Sequence, residues 1–238
     1  MTIRLTFLST SGGEPTPGAR FGDAPPTERE LGEARAARAD LPPHTRAVRA
    51  PSLRCRLTAE ALGLAAADEP ALRDLDVGAW QGRTVEEVAA TDPHAFTAWL
   101  TDPDAAPHGG ESVRRFCRRT ANWLDAVADE PGHVLAVTGP AVVRAALVHA
   151  LSVPARAFWR LDVPPLSPVS LTWQRGHWDV SVGSAAFEAT RRFTVIHRNP
   201  RLHAGREAAH AFVPSAGTCD GPLRYPRVDG ADYATTRP

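Results

Sequence analysis

Short apolar runs alternate with segments of helical period along the first 183 residues, and this alternation restricts the fold more than any other feature. Residues 3–8 read as a buried strand, followed by a Ser/Gly/Pro-rich loop over residues 9–18. Residues 27–41 predict a helix with Thr27 as N-cap and Glu30 in the capping-box position. A short strand over 47–51 leads into a helix over 53–62 that Gly63 closes. Residues 72–77 read as a short extended piece, and 84–90 and 94–100 as short helices around Asp92-Pro93. After a Pro/Asp/Gly-rich loop over 101–110, Ser112 caps a long helix over 113–128. A buried strand over 133–137, a helix from Pro140 to about residue 151, and two antiparallel strands over 167–173 and 178–182 complete the pattern. Such alternation predicts a three-layer α/β/α sandwich on a mostly parallel sheet, with ligands at the C-terminal ends of its strands. Residues 1–184 form this expected domain. Residues 185–238, rich in Arg, His, Pro and Gly, read as an atypical tail of coil or surface-packed arm, with 192–196 as one candidate strand.

Charge and composition narrow the function. Lys plus Arg and Asp plus Glu both number 27, so the chain as a whole has no electrostatic attraction for nucleic acid or an anionic membrane. There is no lysine, which excludes Schiff-base catalysis and the Walker P-loop. With many Ala, Pro and Gly residues, this usage fits a high-GC bacterial genome such as an actinomycete's. Cys55, Cys117 and Cys219 form no CxxC pair, so reduced thiols and no zinc site are expected. The run over 3–8 is too short for a signal peptide, and no run reaches membrane-spanning length. These features predict a cytoplasmic protein with a small-molecule ligand, no nucleic-acid or membrane partner and no cofactor. A homo-oligomer or a protein partner stays open.

Three segments carry a family resemblance. Residues 53–60, Leu-Arg-Cys-Arg-Leu-Thr-Ala-Glu, resemble the Arg-Ala-x-x-Thr-Ala helix start of the histidine phosphatase superfamily, whose fold is phosphoglycerate-mutase-like. Residues 72–82, with Asp74, Gly78, Trp80 and Gly82, resemble its acid–x–x–aromatic–Gly–x–Trp–x–Gly segment. Gly110-Glu111-Ser112 is similar to its Gly-Glu-Ser helix start. The order and spacing agree with the family over roughly residues 1–183.

The resemblance implies a mechanism in which two Arg and two His surround one phosphate. One His attacks phosphorus, the Arg side chains grip the phosphoryl oxygens, the second His stabilises their charge and a carboxylic acid protonates the leaving alcohol. The family's Arg-His-Gly after the first strand is here Ser9-Thr10-Ser11, or Thr10-Ser11-Gly12 in the shifted register. Its second His aligns with Gly139 in the turn Thr138-Gly139-Pro140. Arg54 alone persists of the four phosphate-pocket residues, with Asp74 or Glu111 as the acid and Arg144 matching a family arginine that is usually structural.

Each candidate has a plain alternative. Arg54 binds an anion at a helix N-terminus or pairs with a neighbouring carboxylate. Asp74 is an acid/base or a partner of Arg54 or Arg73, and Glu111 is catalytic or complements a helix dipole. Thr10 is a nucleophile or, like Ser9 and Ser11, fills vacated space, since no His stands ready as its base. His108 is read as a solvated loop residue, and the tryptophans as core or pocket walls. The anion-binding set is Arg54, Ser9, Ser11, Thr138 and Gly139. The expectation is a divergent member that does not act as a phosphatase and uses Arg54 with Asp74 or Glu111 on a small anionic or zwitterionic metabolite. The alternatives are a pseudoenzyme that binds a partner, and a weak phosphomonoesterase.

Overall fold

A computed structural model describes residues 2–10 and 20–182. Ser11, the tail and the candidate strand over 192–196 lie outside the described residues.

Among the described residues, six strands form one sheet: β1 (Ile3–Ser9), β2 (Arg46–Arg49), β3 (Ala67–Asp68), β4 (Gly132–Thr138), β5 (Pro168–Gln174) and β6 (His177–Val182). Their order is β3-β2-β4-β1-β5-β6. The pairings β3–β2, β2–β4 and β4–β1 are parallel, whereas β1–β5 and β5–β6 are antiparallel. The central strands read as continuous apolar runs because helices cover both faces, leaving Leu5, Phe7, Leu135, Ala136 and Val137 fully buried.

The helices are α1 (Glu28–Ala37), α2 (Leu53–Ala61), α3 (Val85–Thr91), α4 (Pro93–Thr101), α5 (Val113–Ala128) and α6 (Pro140–Ala150). Side chains set most of their starts. Thr27 and Glu30 form the expected capping box, Thr84 and Glu87 form another, and Ser52, Asp92 and Ser112 cap α2, α4 and α5. Proline opens α4 and α6, where its missing N–H costs nothing. α1 is shorter than its sequence pattern and ends in a 3-10 turn, Arg38–Asp40, because the apolar stripe fades before Pro42-Pro43. Residues 72–77 are not a strand. Leu72 ends the 3-10 turn Pro70–Leu72, and residues 73–77 form a loop before the 3-10 turn Gly78–Trp80, outside the sheet.

Two apolar clusters result. The main core fills the space between sheet and helices. A second, aromatic cluster gathers Val77, Trp80, Val88 and Trp99, with Phe21, Phe96 and Trp159 against it. Leu135 is at the centre of the main core, fully buried on the middle strand pair. Leu135→Ala is expected to lower stability by about 2–5 kcal/mol in chemical denaturation, because the rigid sheet cannot collapse into the cavity.

Candidate functional site

β1 and β4 end side by side, with Ser9 paired to Thr138 in register. One further bond, Thr10 N–H to the Thr138 carbonyl (2.8 Å), carries the ladder past both strand ends. Here the sheet delivers Ser9, Thr10, Thr138 and Gly139 to one place, all at the C-terminal edge. Ser9 does not face a ligand: its hydroxyl donates to the Pro164 carbonyl at 2.8 Å, and the residue is fully buried. The Thr10 and Thr138 hydroxyls are buried and have no hydrogen-bond partner among the described residues. Thr10 lies close to the Cys55 thiol, whose pKa burial pushes up to about 12, so that sulfur is no base for it.

Asp74 lies against this edge. A Cβ placed on Gly139 would collide with the Asp74 carboxyl, so the carboxyl fills the room that a side chain at position 139 would need. Burial pushes the Asp74 pKa above the usual carboxylate range. The Arg54 charge opposes that rise, Asp23 adds to it and Arg119 again opposes it. Part of the residue's surface is open to the adjoining cavity, while the carboxyl itself is closely surrounded.

Arg54, the arginine expected to hold an anion, forms hydrogen bonds within the chain. It is 5% exposed, and its guanidinium donates to main chain: Nε to the Ala24 carbonyl (3.1 Å) and Nη2 to the Gly22 carbonyl (3.1 Å). The N-terminus of α2 is also occupied from within the chain. The Asp23 carboxylate accepts the Leu53 N–H at 2.5 Å and the Arg54 N–H at 3.1 Å. Residues 22–24 therefore take two of the guanidinium's donors and the first two amides of the helix end. Nothing in the resemblance singles out Asp23, because a lone acid in a Gly/Pro-rich loop has no pattern of its own.

Glu111, the second candidate acid, pairs with an arginine of α5. Its carboxylate is held by Arg119 in a bidentate pair, Nη2–Oε2 at 2.8 Å and Nε–Oε1 at 3.2 Å. Arg119 also donates to the Ala71 carbonyl (2.6 Å), the Arg73 carbonyl (3.1 Å) and the Asp74 carbonyl (3.4 Å). The pair thus pins the segment that carries Asp74. No motif marks Arg119, since eight residues separate it from Glu111 across a helix start.

The motif glycines have a steric reason. Gly78 has φ +46°, and a Cβ there would strike the His108 carbonyl; one on Gly110 would strike the Asp76 carbonyl. The two loops cross in main-chain contact, with Ala79 N–H to His108 O at 2.9 Å and Glu111 N–H to Asp76 O at 2.8 Å. His108 is consequently not a solvated loop residue. It is 3% exposed, lies 4.9 Å from Trp80 between ring centroids, and its Nδ1 accepts the Gly110 N–H at 3.0 Å. Burial lowers its pKa and keeps it neutral.

A cavity of about 340 Å3 opens beside Asp74. Phe21, Val77, Trp99 and Trp159 wall it, with Trp99 and Trp159 packed edge to face at 4.5 Å. Ser52 and Pro140 bring the starts of α2 and α6 to it. Arg20, Arg73 and Arg144 add positive charge, and Asp23 and Asp74 negative charge. Arg144 donates its Nε to the Leu161 carbonyl at 2.7 Å, which fits a structural role. Arg54, Glu111 and Gly139 do not line this cavity, whereas Asp74 does. Among the described residues, no three His, Cys, Asp or Glu side chains converge as metal ligands, and no helix is long and apolar enough to cross a membrane.

An α/β/α sandwich with this strand order and an acid, an arginine and a helix start gathered at the β1/β4 edge defines the phosphoglycerate-mutase-like fold. The model of the histidine phosphatase superfamily (branch 1) matches residues 20–184, and the chain belongs to that superfamily. The glucosyl-3-phosphoglycerate phosphatase of Mycobacterium tuberculosis is 32% identical over 130 residues, covering 50% of this chain and 57% of that protein. A bifunctional protein of the same organism is 34% identical over 107 residues, covering 44% of this chain and 29% of its own length. The chain thus spans less than two thirds of either relative. The solved structure of the mycobacterial glucosyl-3-phosphoglycerate phosphatase complexed with VO3 superimposes with a TM-score of 0.65 at 26% identity, over 76% of this chain and 98% of that one.

The raised Asp74 pKa has a definite sign in stability. The folded state holds the proton more tightly than the unfolded chain, so the contribution is fully present below the ordinary carboxylate pKa and is lost as pH rises through the folded value. Asp74→Asn is therefore expected to melt above the wild type at pH 7, with the gap closing towards pH 4. A gap that widens on acidification would show that the carboxyl is held ionised.

Proposed function

We propose that this member of the superfamily does not transfer phosphoryl groups, and that its cavity serves a small anionic or zwitterionic metabolite. One observation carries the reading: the Asp74 carboxyl occupies the room above Gly139, where the family resemblance calls for an imidazole. Thr10 brings no activated nucleophile to the same edge. Arg54 directs its donors to the Gly22 and Ala24 carbonyls, and the end of α2 directs its N–H groups to Asp23. A phosphate dianion entering this edge would meet the Asp23 and Asp74 carboxyls, while two donors of Arg54 and the first amides of α2 already bond within the chain.

Asp74 is the residue suited to proton transfer, because it combines an elevated pKa with an open side on the cavity. Glu111 is the scaffold that holds it, through Arg119. A binding role without turnover is the second reading. It is favoured by the commitment of Asp23, the other cavity-lining acid, to main-chain amides.

Loss of the nucleophile and of the second histidine should each cost at least ~10²–10³ in rate, so p-nitrophenyl phosphate turnover is expected at background. Inorganic phosphate at about 5 mM and constant ionic strength should stabilise the chain by less than about 0.4 kcal/mol, a shift in melting temperature near detection. Robust turnover, or a rise of several degrees with phosphate that disappears in Arg54→Ala, would contradict the proposal.

A further inference from the structure

His108 sits where two loops cross. Its carbonyl accepts the Ala79 N–H at 2.9 Å, and the Glu111 N–H reaches the Asp76 carbonyl at 2.8 Å. Between these two bonds the ring is buried, and its Nδ1 accepts the Gly110 N–H at 3.0 Å. A main-chain amide can only donate, so Nδ1 carries a lone pair and the proton of the neutral ring is on Nε2. That Nε2 is buried and has no partner among the described residues.

A protonated ring does not fit this place, because an imidazolium donates from both nitrogens. Its Nδ1–H would meet the Gly110 N–H, donor against donor, and its Nε2–H would meet no acceptor. Trp80, from the 3-10 turn Gly78–Trp80, and Trp99, from α4, stand edge to face with the ring at 4.9 and 6.2 Å between centroids. A tryptophan face attracts a cation, but it replaces neither lost acceptor. Asp76 is the carboxylate whose field favours the cation; it is exposed and accepts the Gly78 N–H at 2.9 Å. The other acids nearby are committed: Glu111 to Arg119 on α5, Asp104 to Arg114, and Asp102 to the Asp104 N–H. α4 carries no carboxylate, and its one titratable residue, His94, is exposed in the first turn. Burial outweighs Asp76 and holds the His108 pKa below the usual histidine range.

The crossing belongs to a small unit. The aromatic cluster of Val77, Trp80, Val88 and Trp99 is separate from the main core and joined to it through the partly buried Leu75 and Trp159. Units of this size open at lower free energy than a whole domain. Val77 and Trp99 also line the cavity, so freeing the crossing frees part of a cavity wall.

We propose that His108 is an acid-operated latch on the cavity: a proton taken from solvent onto Nδ1 ejects the ring from the aromatic cluster and frees the Gly78–Gly110 crossing, while the sheet stays folded. The opened loop holds an ordinary histidine, which takes up its proton near pH ~6.5, whereas the closed crossing resists it. The closed form is therefore fully favoured above about pH 6.5 and loses up to about ten-fold in population ratio per pH unit below it. Asp74 runs the other way, since its folded form holds a proton more tightly, so loosening on acidification is not its signature. The latch goes beyond the proposed function and does not depend on which ligand the cavity takes.

The full chain is followed from about pH 8 to about pH 4 by circular dichroism, in the near ultraviolet for tryptophan packing and in the far ultraviolet for the backbone. The near-ultraviolet signal should fall in a one-proton step below pH ~6.5 at unchanged far-ultraviolet signal. His108→Asn, whose Oδ1 can still accept the Gly110 N–H and does not titrate, should lack the step. If that variant does not fold, the wild type decides alone by nuclear magnetic resonance. Protonation of the His108 ring should then coincide with loss of hydrogen-exchange protection at the Gly110 and Glu111 amides. Four outcomes overturn the latch: no near-ultraviolet step, loss of both signals together, a step that persists in folded His108→Asn, or a protonated His108 with both amides still protected.

Discussion

The Asp74 carboxyl lies against the bare Cα of Gly139, and the rest of the site is arranged around that contact. Glycine leaves room at the start of α6 that no other residue would leave. The carboxyl enters it with a loss of hydration, which its elevated pKa records. That arrangement persists because the segment behind it is fixed. Arg119 grips three carbonyls, at Ala71, Arg73 and Asp74, and is itself oriented by Glu111. The crossing of the Gly78 and Gly110 loops locks the same segment from its other end. An ion pair and a backbone crossing thus brace the segment that carries Asp74.

At the same edge, groups that could bind an anion form hydrogen bonds within the chain. Arg54 and the N-terminus of α2 remain in place, but the chain turns its own Gly22–Asp23–Ala24 segment onto them. A charge-assisted bond to a tethered carboxylate needs no free ligand and loses little entropy on forming. The adjoining cavity is lined by aromatic side chains and by Arg20, Arg73, Arg144, Asp23 and Asp74.

The architecture is legible in the sequence because its signals are local. Apolar runs mark β1 and β4, and Thr27, Ser52, Thr84 and Ser112 mark helix starts through hydrogen bonds that span only three residues. Residues 72–77 read as extended because their apolar spacing fits a strand, while their real restraint, Arg119, lies over 40 residues away. His108 reads as solvated for a similar reason: its aromatic neighbours Trp80 and Trp99 come from other elements. The site is only partly legible. Asp74, Thr10, Thr138 and Gly139 do meet, as their places in the fold imply. The commitments of Arg54, Ser9 and Glu111 are hidden, since they depend on main-chain carbonyls and on one long-range arginine.

The central claim is the exclusion between a side chain at position 139 and the Asp74 carboxyl, and a double-mutant cycle measures it. Gly139→Ala, Asp74→Ala and the double variant are compared with the wild type by chemical denaturation at pH 7. Gly139→Ala is expected to be destabilising alone and much less so once Asp74 is removed, with a coupling of about 1–3 kcal/mol. Additive effects, within about 0.5 kcal/mol, would mean that the carboxyl does not occupy that space.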